Sequence, residues 1–146
     1  MIGVPVVYFI YRAIRVNSLY NQIAGAIETG QGGIRLLDNT YFNPNFHNDP
    51  GTECYYKTDD GLVKDWADTL DSDFKSGWGN DDEEGIYGVF RAMPDGVAVS
   101  QTAHKFQYFY GEDLFSKVEE RLTVEEVSKV AEIVNDLPPY RFKDCS

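Results

Sequence analysis

The chain is poor in cysteine, histidine and base. Its 146 residues hold two cysteines, Cys54 and Cys145, and two histidines, His47 and His104. Two cysteines so far apart do not make the closely spaced framework of a small secreted scaffold, so two reduced thiols are expected, with a disulfide tying down the C-terminus as the alternative. Two histidines exclude a catalytic centre built from several imidazoles. HExxH, paired CxxC, GxSxG and a strand-loop-helix phosphate cradle, the short spacings that mark metal, nucleophile and phosphate sites, are all missing. Long apolar runs are missing too. Val4 to Ile10 is strongly apolar, but Arg12 and Arg15 interrupt it, well short of the roughly 20 residues a membrane span requires. No basic stretch precedes it and no small-residue cleavage site comes after it, so a buried strand and a cytoplasmic location are expected.

What is present suits a globular chain: 42% hydrophobic and 14% aromatic residues, with neither repeat nor low-complexity tract. One domain spanning residues 1–146 is the expectation. Against 24 acids stand 13 bases, a net charge of −11. The acidity is local. Residues 59–84 hold ten acids and two bases, and residues 112–136 hold eight acids and three bases. Such a surface excludes direct binding to a phosphate backbone or an anionic membrane, both of which need a basic face.

The periodicities suggest an α+β domain, a mostly antiparallel sheet carrying about four helices. Val4 to Val16 reads as a strand, a helix begins at about Ser18, and Ile34 to Leu37 reads as a short strand. Asn39 to Thr58 is rich in turn residues yet carries Tyr41, Phe42, Phe46, Tyr55 and Tyr56, so it reads as a long loop packed onto the domain. Leu62, Trp66, Leu70 and Phe74 recur every four residues and mark a helix, with Asp60 as its cap. Ser76 to Gly85 reads as a loop. Ile86 to Ala92 and Val97 to Gln101 read as a hairpin around Met93-Pro94-Asp95-Gly96, the second arm resuming through Lys105 to Tyr110. Two helices close the chain. Thr123-Val124-Glu125-Glu126 is a capping box for the second, and Pro138-Pro139 is its stop.

Three constellations carry chemistry. The first is the acidic segment. Asp65, Asp68 and Asp71 share one helix face and lead through Asp73 and Trp78 to Asp81, Asp82, Glu83 and Glu84. Crowded carboxylates repel one another, an arrangement that makes sense when a basic partner surface neutralises them and an aromatic anchors the contact. The expected function is therefore that of a non-enzymatic acidic binding protein. It would neutralise a basic, nucleic-acid-binding protein or nucleoprotein complex, in the manner of nuclease inhibitors, immunity proteins and anti-defence proteins, with no cofactor and no metal. The plain alternative is a solvated, solubilising surface.

The second constellation is Arg12, Arg15, Arg35 and Arg91 with Tyr8, Tyr11, Tyr87, Tyr108 and Tyr110, which would suit a nucleotide-like ligand if they converged. The third is His47, Asp49, Glu53 and Cys54 with His104, donors of the right kind for a metal-assisted hydrolase but without ligand spacing. Cys54, Ser100 and Cys145 lack the strand-turn-helix elbow of a nucleophile.

Overall fold

The computed structural model describes residues 34–76 and 83–145. The chain separates into two compact units, Met1–Leu36 and Leu37–Ser146. The strand at Val4 to Val16 and the helix after it lie outside the described residues, as do Trp78, Asp81 and Asp82.

The second unit is helical. A turn of 3-10 helix, Phe46–Asn48, precedes five α-helices: α1 (Asp60–Phe74), α2 (Glu83–Ala92), α3 (Gly96–Tyr110), α4 (Leu114–Arg121) and α5 (Val124–Val134). No strand occurs among the described residues, and one isolated antiparallel bridge joins Tyr55 to Phe142. This overturns the antiparallel sheet and with it the α+β class. The expected hairpin is the helix pair α2–α3, and Ile34 to Leu37 has no regular structure.

The reason lies in how those segments bury. In α2, Ile86, Tyr87, Val89 and Phe90 are buried, with Met93 just beyond; these positions fall on one helical face. In α3, Val97, Ala98, Val99, Ser100, Thr102 and Ala103 are all buried, so its first two turns are covered nearly all round, while His104, Gln107, Tyr108 and Phe109 of its second half are exposed. A helix apolar on every side shows no stripe, and its run of β-branched residues looks like a central strand. The Pro94-Asp95-Gly96 signal begins a helix: Asp95 is its N-cap, accepting from the Ala98 N–H at 2.8 Å. At the other end Gly111 closes α3 in the left-handed region, φ 69°, its N–H donating to Gln107.

The remaining helices obey local rules. Asp59, one residue before the expected cap, accepts from the N–H groups of Gly61 and Leu62 and starts α1. Thr123 and Glu126 form both halves of the capping box of α5. That helix ends at Val134, short of the proline pair. α1 packs chiefly on α3 and on α2, α2 also meets α5, and the 3-10 turn and α4 pack on α3. Phe74 of α1 meets Phe106 of α3 edge-on at 6.2 Å, and Phe42 meets Phe90 and Phe115 at 5.9 and 5.6 Å. Each such ring stabilises the fold by roughly 1.5–3 kcal/mol through burial.

The loop before α1 does pack onto the domain. Phe42 is buried in the core, the Gln101 side-chain amide exchanges two hydrogen bonds with the Thr58 backbone, and Ser100 donates to the Asn43 carbonyl. The C-terminal residues form an arm latched along α3 and this loop. Tyr41 donates to the Leu137 carbonyl, and the first N–H groups of α3, Gly96 and Val97, donate to the Pro138 and Pro139 carbonyls. These are donors a helix cannot satisfy internally. The Arg141 Nε donates to Asp95, which is fully buried, at 3.0 Å. Beyond it, the Tyr56 N–H donates to the Arg141 carbonyl, the Lys143 N–H donates to the Cys54 carbonyl, and Cys54 and Cys145 form a disulfide. The expected pair of reduced thiols is thus corrected: the antiparallel run of the arm along residues 54–56 brings two distant cysteines to a Cα separation of 5.7 Å.

Candidate functional site

α1 and α2 carry the described part of the acidic segment, and they use their acids differently. On α1, Asp65 is exposed. Asp68, one turn on, takes the Lys64 ammonium at 2.8 Å and the phenol of Tyr110 from α3. The Lys64 bond, reinforced by the Tyr110 bond, holds the Asp68 carboxyl below its ordinary value. In return the Asp68 bond, with burial and the nearby Asp68 and Asp71 charges, pushes the Tyr110 phenol up to about 12. Asp71 is buried and paired with Lys75 at 2.9 Å, and the Lys75 ammonium lies over the Tyr110 ring. Asp68 and Asp71 therefore belong to a charged seam between α1 and α3. Asp73 is half-buried, its carbonyl accepting from Ser76.

The start of α2 is different. Glu83 and Glu84 occupy its first turn, where the helix dipole favours negative charge. The Glu84 side chain is 83% exposed and meets Arg91 only at 4.0 Å. Glu83 lies beside the carboxyl of Glu126, which stands at the third position of α5 and accepts from the Thr123 N–H. The group that registers the resulting potential is Tyr87. Burial first, then Glu126, Glu83 and Glu84, push its phenol up to about 12, and Arg91 opposes them. The first turn of α2 is thus a negative node, joined in the chain to Asp81 and Asp82.

Of the arginine and tyrosine constellation, the structure brings Tyr87 and Arg91 together, the guanidinium 5.8 Å from the ring centre. Tyr108 stands on α3, highly exposed, its ring against Phe109. Arg12, Arg15, Tyr8 and Tyr11 lie outside the described residues, and Arg35 lies at their edge in the first unit.

His47 and His104 do come together, ring centres 5.5 Å apart. The 3-10 turn presents His47 to α3, where Ser100 and His104 are one turn apart. Ser100 is fully buried and gives its proton to the Asn43 carbonyl. Its oxygen takes the His47 backbone N–H at 2.9 Å and stands 3.0 Å from His47 Nδ1. With its one proton committed, Ser100 faces Nδ1 as an acceptor, so the imidazole holds the serine in place and does not activate it. Burial, then His104 and Lys57, lower the His47 pKa. Cys54 is spent in the disulfide, and no group of three His, Cys, Asp or Glu side chains among the described residues is placed to hold a metal ion. The cluster is a fastening between loop and helix.

Comparison with protein-family models, with curated proteins and with solved structures finds no match to the chain. Among the described residues no helix is long and apolar enough to cross a membrane.

Proposed function

We infer that this is a binding protein that engages and neutralises a basic protein surface of the kind that otherwise holds nucleic acid. The unit Leu37–Ser146 holds 23 acids and ten bases, a net charge of −13. Six of those bases are already paired internally, Lys64, Lys75, Arg91, Lys105, Lys117 and Arg141. The observation that carries the reading is the first turn of α2, where Glu83 and the exposed Glu84 stand together and Arg91, at 4.0 Å, is the one basic group paired with Glu84 among the described residues. Carboxylates concentrated in this way steer a basic partner and are screened by salt. The binding set is Asp65, Glu83, Glu84 and Glu126 with Asp81 and Asp82; Asp68 and Asp71 serve the α1–α3 seam. The test is charge reversal: Glu84→Lys with Asp65→Lys abolishes association while leaving the helical circular dichroism signal and the unfolding midpoint unchanged. An affinity indifferent to both substitutions and to salt contradicts the reading.

A further inference from the structure

The arm and the loop it is tied to border an open surface cleft of about 470 Å³, lined by Glu53, Tyr55, Tyr56, Lys57 and Lys143. We propose that this cleft binds a small phosphorylated ligand bearing a flat ring, of the nucleoside monophosphate class. Its volume falls in the range of small-molecule sites, roughly 300–1,000 Å³.

The charge distribution singles the cleft out. In so acidic a unit a lysine finds a carboxylate by default, as Lys64, Lys75, Lys105 and Lys117 do. Lys57, Lys129 and Lys143 pair with no carboxylate among the described residues, and two of these three, Lys57 and Lys143, line this one cleft although they are far apart in the chain. Both lysines are exposed, and the Lys57 ammonium lies over the Tyr55 ring, 5.8 Å from its centre; lysines lining one cleft suit a phosphate, to which lysine offers a compact charge. The guanidinium of Arg141, over the Tyr56 ring at 5.7 Å, adds positive potential beside them.

The walls suit a ring. Tyr55 is held by its hydroxyl, which donates to the His47 carbonyl at 2.8 Å, so its ring is fixed before any ligand arrives. Tyr56 is 48% exposed and offers its ring to the cleft. Stacking on such rings contributes roughly 1–3 kcal/mol per base. Glu53, also without a basic partner among the described residues, supplies an acceptor for a hydroxyl or amino group and disfavours a ligand that is only anion. The arrangement depends on the arm: Lys143 reaches the cleft because its N–H donates to the Cys54 carbonyl beside the Cys54–Cys145 disulfide.

This site uses none of the residues of the acidic node, so the two readings fail separately. The test is calorimetric titration of the oxidised full chain with the four common nucleoside 5′-monophosphates, with inorganic phosphate and with the matching nucleosides. Saturable binding of at least one nucleotide is expected, tighter than either fragment. Lys57→Met and Lys143→Met should each weaken it roughly 10- to 100-fold, the loss of one charge-assisted contact. Lys129→Met, an exposed lysine on α5 away from the lining residues, should leave it unchanged. Silence with all four nucleotides overturns the proposal. So does phosphate binding as tightly as nucleotide, or an equal loss in Lys129→Met.

Discussion

Replacing Cys54 and Cys145 together by serine removes the one covalent tie between the arm and the loop. The two positions are 91 residues apart, and the loop-closure relation for a ring of that size gives about 4–5 kcal/mol of constraint on the unfolded chain. That is an upper figure, because compact unfolded chains relinquish less entropy than the relation assumes. The folded arm keeps its other attachments: Arg141 to buried Asp95, and the Gly96 and Val97 N–H groups to the Pro138 and Pro139 carbonyls. The double serine variant therefore still folds, and its stability falls by about 2–4 kcal/mol. For a chain of this size that corresponds to a urea midpoint lower by roughly 1–2 M. Equilibrium urea unfolding monitored by circular dichroism, on wild type with and without dithiothreitol and on the variant, measures it. Reduced wild type and the variant should coincide. A midpoint unmoved in both would refute the view that the arm is clamped to the unit through this bond.

Gly96→Ala tests the contact of the first turn of α3 with the loop. A Cβ there would overlap the ring carbons of Tyr41, whose hydroxyl is tied to the Leu137 carbonyl, so a loss of about 1–3 kcal/mol is expected, read by thermal unfolding; an unchanged midpoint contradicts it. Thr123→Ala removes one half of the capping box of α5 and should cost about 1 kcal/mol, with Thr123→Ser retaining most of it in the same measurement. The third prediction concerns pH. The folded His47 pKa lies below the ordinary 6.5, through burial and then the charges of His104 and Lys57. Between the two values the unfolded chain binds more protons, so this stability is fully present above 6.5 and is lost as pH falls toward the folded value. His47→Gln should flatten that part of a stability–pH profile, and an unchanged slope would contradict the placement of His47.

The legible parts of the fold are those with one-sided burial. α1 announces itself by Leu62, Trp66, Leu70 and Phe74 at four-residue steps, and α5 by Thr123 and Glu126. α3 passes for a strand because Val97 to Ala103 is buried on almost every side, and a stretch of helix without a polar face has no period to detect; α2, short and buried on one face, passes for its partner because Pro94-Asp95-Gly96 also reads as a hairpin turn. Asp95 is ambiguous for a related reason: Pro-Asp-Gly serves a hairpin turn and a helix cap alike, and only the burial of Val97 to Ala103 decides between them. The disulfide is hidden because nothing local brings Cys54 to Cys145; the arm's bonds to α3 do.

At the candidate site the concentration of acid is legible from composition, but its division between seam and node is harder to see. A signal exists, since Lys64 with Asp68 and Asp71 with Lys75 stand at the four-residue spacing of helical ion pairs. Glu126 joins the node only through the packing of α2 on α5, a long-range contact without local trace. Lys57 and Lys143 leave no mark in the sequence, because lysines lacking a carboxylate become conspicuous only once the other bases have found theirs.

The acidic node is proposed to bind a basic protein. Its most direct test is capture with the tagged chain from the lysate of the cell in which it acts, at low and at high salt, beside the variant carrying Asp65→Lys, Glu83→Lys and Glu84→Lys. One dominant basic, nucleic-acid-binding partner is expected, held at low salt, released at high salt and absent from the variant. A partner retained by the charge-reversed variant, or no partner at either salt, would contradict it.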